Sequence, residues 1–346
     1  MDISIDIGKP NNSFIILGDD INYLILYVNI ILICIFMYNM YFIKIKVSTE
    51  VKDEVKDEVK DETKSIDIPV SLGDRMKQYE KDILPSKIPS TNSYIIRLDG
   101  CCFSKFTEPF KVPFDIVFVK AMCLTLQDLL TKFHSKTGYT HSDEITLIFK
   151  EQELELSKHL YDGRTSKLLS VIASYCSIRF NYHLIKTIEP IKREYPIKFI
   201  EKIQQCEQIF DARIIILEPG EILNHQIWRS VLDCYKNAVS TYAYTVFSHK
   251  TLNKKTTSEK IEMLKSKNII WESIPTFIKY GLYCKKILYE IDIKGEKVSR
   301  SRYEFKNFKI SYSKENITML MAKYWMNDND AYGESIDIKL LEQKLI

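Results

Sequence analysis

Three carboxylates stand where they could do chemistry. Asp99 closes an apolar run, YIIRLD at 94–99, and Asp143 and Glu144 open another, ITLIF at 145–149. If those runs are neighbouring strands of one sheet, the acids converge at a single edge. Carboxylate oxygens suit Mg²⁺, a hard cation that keeps several waters and shares its remaining coordination with phosphates. Two such ions roughly 4 Å apart activate a ribose hydroxyl and neutralise charge on a phosphate. Acids at strand ends are also commonly just solvated, and their spacing does not separate the two readings.

The neighbouring pattern says which elements must position these acids. Residues 94–99 read as a buried strand broken by Gly100, which allows close backbone approach. Ile116, Val119, Cys123, Leu126, Leu130 and Phe133 recur at helical spacing. Gly138 precedes Ser142, Asp143 and Glu144, and 145–149 alternates as a strand with the acids at its entrance. A second helix is expected over about 166–184 and another strand over 212–217. With a short strand before Ser142 the order is β-α-β-β-α-β, an α+β split βαβ sheet. Beyond it, Trp228, Val231, Leu232, Tyr235, Val239 and Tyr242 mark a long helix. A polar loop over 248–257 leads into one more helix near 267, so 221–323 reads as a mostly helical part of the same body.

Ahead of this body, residues 21–43 contain no charge and are long enough to cross a hydrocarbon layer of about 30 Å as a helix. Acids precede the segment and Lys44 and Lys46 follow it, so the positive-inside bias expects a single-pass membrane protein whose body faces the cytosol. Three VKDE copies at 51–62 read as a charged spacer. The expected organisation is an N-terminal segment (1–20), a transmembrane helix (21–43), a linker (44–70), a catalytic core (71–220), a helical part (221–323) and a tail (324–346).

Composition sets the limits. With 346 residues, 45% hydrophobic and 27% charged, the chain supports a sizeable folded core and excludes a disordered class. The net charge is +3, but residues 50–64 carry seven acids against four lysines, so the rest is about twice as basic as the whole, which suits a polyanionic partner. Basic stretches at 186–202 and 250–267 could follow a nucleic-acid backbone as a combined face. The eight cysteines form no CxxC pair, and reduced thiols are expected.

RLDGCCFSKF at 97–106 and HSDE at 141–144 together resemble the tRNA-histidine guanylyltransferase family of 3′-to-5′ nucleotide-adding enzymes. FDAR at 210–213, Trp228 with Arg229 and Asp233, SEK at 258–260, and Pro275, Lys279 and Gly281 follow in that family's order. The resemblance covers about residues 71–285. It implies a polymerase-palm fold, of ferredoxin-like βαββαβ type, that acts on a tRNA 5′ end with two Mg²⁺ ions. The incoming nucleotide's 3′ hydroxyl attacks an activated 5′ phosphate; GTP and other nucleoside triphosphates are substrates, and ATP or a preexisting triphosphate supplies activation.

Carried over residue by residue, the resemblance makes Asp99 and Asp143 the metal-bridging carboxylates. It makes the Gly100 carbonyl a backbone ligand and Glu144 a supporting acid. Asp99, Gly100, Cys101, Cys102, Phe103, Ser104, Ser142 and Asp143 would line the nucleotide's phosphates. Phe103 and Phe106 keep aromatic places that core packing explains equally well. A homotetramer is a further implication.

Two positions depart from the family pattern. Cys101 stands where an arginine is usual and Ser104 where a histidine is usual, so phosphate contacts resting on those charges are missing or supplied elsewhere. Of the His-Ile-Asn-Asn-Leu-Tyr-Asn stretch of the histidine-tRNA branch only Asn237 survives, which resembles the broader branch that repairs truncated tRNA 5′ ends by templated addition. Two rival readings remain open. A palm-fold nucleotide cyclase would use the same acids, although Thr140 and His141 replace the glycine pair expected there. A non-enzymatic RNA-binding membrane adaptor would need none of them.

Overall fold

A computed structural model describes residues 71–80, 84–152, 154, 157–326, 332, 333 and 335–338. The expected transmembrane helix at 21–43 and charged linker at 44–70 lie outside these. Among the described residues no helix is long and apolar enough to cross a membrane.

Ser71 Oγ accepts from Asp74 N at 3.1 Å, capping α1 (Leu72–Tyr79). The core elements follow in the order β1 (Tyr94–Gly100), α2 (Phe103–Phe106), α3 (Ile116–Phe133), β2 (Thr137–His141), β3 (Glu144–Phe149), α4 (Thr165–Ile188), α5 (Ile197–Gln204) and β4 (Phe210–Ile216). Strands run β4-β1-β3-β2, all antiparallel. This is the split βαβ arrangement, with β2 as the short strand that the reading required.

Burial follows the strand period of two. Tyr94, Ile96 and Leu98 join α3 and α4 in one apolar core. Ile95, Ile148 and Ile215 face the opposite layer of α6 (Pro219–Gln226) and α11 (Lys314–Met321). Arg97 and Asp99 share the parity of Ile95, so they point toward that second layer too. Register then stacks like with like: Asp211, Asp99, Glu144 and His141 form one row across four strands, and Arg213, Arg97, Thr146 and Tyr139 form the next.

After β4 the structure departs from the expected helical layer. The single helix predicted through Trp228 and Tyr242 is a π-helical segment, Ile227–Cys234, running into α7 (Tyr235–Val246). The wider turn rotates Leu232 outward, leaving it 49% exposed, and turns Arg229 inward. Short helices α8 (His249–Leu252), α9 (Thr257–Lys265) and α10 (Thr276–Tyr280) follow. Then β5 (Leu282–Ile293) and β6 (Glu296–Lys306) extend the sheet from β2, where a mostly helical part was expected. Their outer ends are exposed, yet Tyr289, Ile291 and Ile293 alternate there with Glu290 and Asp292 ahead of Gly295 at the turn. The described part of the expected tail is also built in: Trp325 and Tyr332 are buried, and β7 (Ser335–Ile336) pairs with β6.

Lys285 of β5 is fully buried, its ammonium donating to Thr137 Oγ1 at 2.9 Å, to Ala322 O at 2.6 Å and to Met319 O at the end of α11. Burial, with the nearby charge of Lys136, brings its pKa down to about 7. A lysine pKa lowered on folding means the unfolded chain binds more protons between about 7 and 10.5. Stability therefore rises with pH across that window, by up to about 1.4 kcal/mol per pH unit. Denaturation midpoints measured from pH 7 to 9 are expected to rise in the native chain and to flatten in Lys285→Met; equal slopes would show that Lys285 keeps its proton when buried.

Candidate active site

The acidic edge is assembled by a two-residue hairpin turn. His141 pairs with Glu144, leaving Ser142 and Asp143 at the tip, with Ser142 in the left-handed region at φ 51°. The Asp143 carbonyl accepts from Gly100 N at 3.2 Å, which docks the tip against the end of β1. Gly100 is required there by a close approach: a Cβ would stand 2.5 Å from the Phe103 ring. The turn and the strand end thus bring Asp99, Gly100, Ser142 and Asp143 together.

Two arginines govern the charges. Arg97, 8% exposed, donates to Glu80 Oε1 at 3.0 Å, Asp99 Oδ2 at 3.1 Å and Glu144 Oε1 at 2.7 Å. Arg229, aimed inward by the π-helical segment, donates to the other Glu144 oxygen and pairs with Asp233 at 2.9 Å. Glu144 consequently stays below the ordinary carboxylate range: burial opposes this, but the two guanidinium groups, Arg229 first, outweigh it. Glu80 is held at about 2, against burial, by His225, whose Nε2 stands 3.8 Å away, and by Arg97.

Asp99 behaves in the opposite way. Burial, then the Glu144 carboxylate, then Asp143 and Asp211 push it up to about 6, although Arg97 pulls against them. Asp143 is also raised, chiefly by burial and then by Glu144. Burial and neighbouring carboxylates therefore outweigh Arg97 at Asp99 and Asp143, while Glu144 is held charged between its two arginines.

Glu144 is thereby set apart from Asp99 and Asp143. Among the described residues no three carboxylate, imidazole or thiol groups gather on one point. Glu144 is turned to Arg97 and Arg229, so the donor set that fits a divalent cation is the pair Asp99 and Asp143 with backbone oxygen beside them. The fit rests on hard oxygen donors carrying excess negative charge.

The other expected phosphate-lining residues divide by exposure. Cys102 and Ser104 are exposed and Cys101 is half-buried, whereas the Phe103 ring is 2% exposed and packs on Phe106, Phe180 and Phe210 with centroids 5.0–5.4 Å apart. Only its backbone can meet a ligand. Next to Ser142 a cavity of about 250 Å³ is lined by Phe114, Val119, Thr140, Phe277 and Ile278 among others, with an apolar wall suited to a flat ring.

Arg97, Glu80, Asp211 and His225 were not singled out by sequence reasoning. The signal available for two of them is the repeated Asp/Arg pair at spacing two, Arg97 with Asp99 and Asp211 with Arg213, which places both pairs on one face. Downstream motif pieces turn out to be structural. Glu259 completes a capping box with Thr256, Lys260 bonds Ser240 Oγ at 3.0 Å, and Lys279 bonds Glu272 O at 2.8 Å. Gly281, at φ 75°, leaves room for the Tyr139 hydroxyl, 2.5 Å from where a Cβ would sit.

Comparison with known proteins converges on one family. The tRNAHis guanylyltransferase family model matches residues 73–218. An uncharacterized protein of Acanthamoeba polyphaga mimivirus is 39% identical over 267 residues, covering 74% of this chain and 91% of that protein. The tRNA(His) guanylyltransferase of Debaryomyces hansenii is 30% identical over 168 residues, 47% of this chain and 56% of its own length. Among solved structures, a bacterial tRNA(His) guanylyltransferase-like protein in complex with ATP aligns with a TM-score of 0.57 at 27% identity, over 72% of this chain and 99% of that one. The chain belongs to the tRNAHis guanylyltransferase family, a family of nucleotidyltransferases.

Proposed function

We propose that this chain adds nucleotides to the 5′ end of a tRNA in the 3′-to-5′ direction, on a polymerase-palm sheet whose working pair is Asp99 and Asp143. The observation that carries the reading is the docking of the Ser142–Asp143 turn on the end of β1, which brings Asp143 to Asp99 beside a ring-sized cavity. Asp99, Asp143 and the Gly100 carbonyl would hold Mg²⁺, two ions of which polarise a ribose 3′ hydroxyl and offset phosphate charge. Glu144 is a positioning residue: it fixes Arg97 and Arg229, and through Arg97 it orients Asp99.

Backbone N–H groups over 102–104 and the Ser142 hydroxyl face the phosphates of GTP or another triphosphate, and the adjoining cavity takes the base. Cys101 and Ser104 bring no cation, so activation by ATP relies on the ions and these donors. The bacterial relative was solved with ATP, which supports a nucleoside triphosphate at this site. The loss of all but Asn237 from the histidine-tRNA stretch favours templated 5′-end repair over addition to one tRNA. Residues 21–43 would tether the body to the cytosolic face of a membrane, and a homotetramer is the assembly carried from the family.

The test gives the full chain a 5′-shortened tRNA, Mg²⁺ and each triphosphate in turn. The expected product grows by nucleotides complementary to the opposite acceptor strand. A cyclic product from GTP alone would instead establish a cyclase, and RNA binding with no extension would establish an adaptor.

A further inference from the structure

A second cavity lies at the far end of the sheet. It has a volume of about 350 Å³ and is lined by His134, Ser135, Lys136, Lys286, Tyr303 and Lys323. Lys136 precedes β2 and Ser142 follows it, so the two places are about 20 Å apart along a strand. This cavity belongs to no part of the site described above.

The lining is cationic and built in. Lys136 N donates to Ile148 O at 2.8 Å, and Lys286 pairs with Tyr303 in the β5–β6 register. Trp325 N donates to Lys286 O at 2.8 Å, fixing the chain next to Lys323. Among the described residues no carboxylate pairs with Lys136, Lys286 or Lys323; the latter two ammonium groups lie over the Tyr303 and Tyr324 rings, at 5.3 and 5.1 Å. Among the described residues no acid lines the cavity. Ser135, another lining residue, is 8% exposed, and its buried hydroxyl has no hydrogen-bond partner among the described residues.

An unpaired hydroxyl in a buried position costs roughly 1–3 kcal/mol unless something bonds it. Three lysines around one cavity suit an anion, and the neighbouring Lys285 feels the charge of Lys136. We propose that this cavity binds a phosphate group, with Lys136, Lys286 and Lys323 supplying charge and Ser135 a directed hydroxyl. The phosphate comes either from an RNA backbone or from free inorganic phosphate. The RNA source rests on the tRNA reading above; the inorganic source does not.

The experiment uses the full chain in Mg²⁺-free buffer, which removes phosphate binding at Asp99 and Asp143. Calorimetry with inorganic phosphate and filter binding with a tRNA over a salt series are compared for the native chain, Lys286→Gln, Lys323→Gln, Ser135→Ala and a Lys136→Arg, Lys286→Arg, Lys323→Arg triple. Each glutamine variant is expected to weaken binding by about tenfold or, in the RNA arm, to reduce the salt slope by about one. The arginine triple should retain binding. Weakening with inorganic phosphate assigns the free anion; weakening with tRNA alone assigns the backbone. Lys323 is exposed and its substitution does not threaten the fold, so unchanged binding in both arms by a normally melting Lys323→Gln and Lys286→Gln overturns the proposal.

Discussion

Asp99→Ala and Asp143→Ala are each expected to abolish nucleotide addition, by about a thousandfold or more, while leaving the thermal midpoint unchanged or raised. The rate loss follows from removing an oxygen donor from a metal pair, where roughly 4 kcal/mol of charge stabilisation corresponds to about three decades in rate. The stability effect follows from the same electrostatics with opposite sign. Asp99 is destabilised in its charged form by burial and by Glu144, Asp143 and Asp211, so deleting an acid relieves repulsion in the folded state. An acid kept for structure would behave in reverse, with falling stability and surviving turnover. Single-turnover addition of a labelled nucleotide, run beside thermal unfolding of each variant, separates the two. Extension by either variant at a rate near the native one would remove Asp99 and Asp143 from the chemistry.

How much of this was legible beforehand depends on the residue. Asp99 and Asp143 could be found because each sits where an apolar run starts or stops, and strand ends carry that mark in one dimension. The four-strand core could be read for the same reason, since 94–99 and 145–149 are buried on both faces and appear as continuous apolar runs. Arg97 could not be assigned a role, because within YIIRLD it reads as an interruption of a hydrophobic strand. Its meaning appears only in the register, which sets Asp99 opposite Glu144 and lets the residue two positions earlier reach both. Arg229 needed a further fact, the π-helical segment that aims it inward, and no periodicity of 3.6 residues foretells one. The β5–β6 hairpin was missed although its signal is present: Tyr289, Ile291 and Ile293 alternate with Glu290 and Asp292, and Gly295 marks the turn, a strand pattern that the helical reading of 221–323 passed over.

The register also makes Arg97 the residue on which the stability of this edge turns. Arg97→Met is expected to destabilise the chain by about 3–5 kcal/mol at pH 7, the range for removing one partner from a buried ionic cluster. Its loss leaves Glu80, Asp99 and Glu144, with side chains 10%, 28% and 21% exposed, facing one another without their common cation. The pH dependence identifies the cause. Glu80 has a folded pKa of about 2 against an ordinary 4.5, so in the native chain its contribution is present above 4.5 and is lost as pH falls toward 2. In Arg97→Met that pKa moves back up, and protonation relieves the variant while it costs the native chain. The stability gap should therefore be widest at neutral pH and close as pH falls from about 4.5 toward 2, in denaturant titrations between pH 3 and 7. Arg97→Lys should recover part of the gap, since it restores charge without the fork that reaches Glu80, Asp99 and Glu144 together. A gap independent of pH would mean that Arg97 acts by packing its alkyl stem. The acidic edge would then owe its cohesion to Arg229, whose own replacement by methionine would have to show the pH-dependent loss instead.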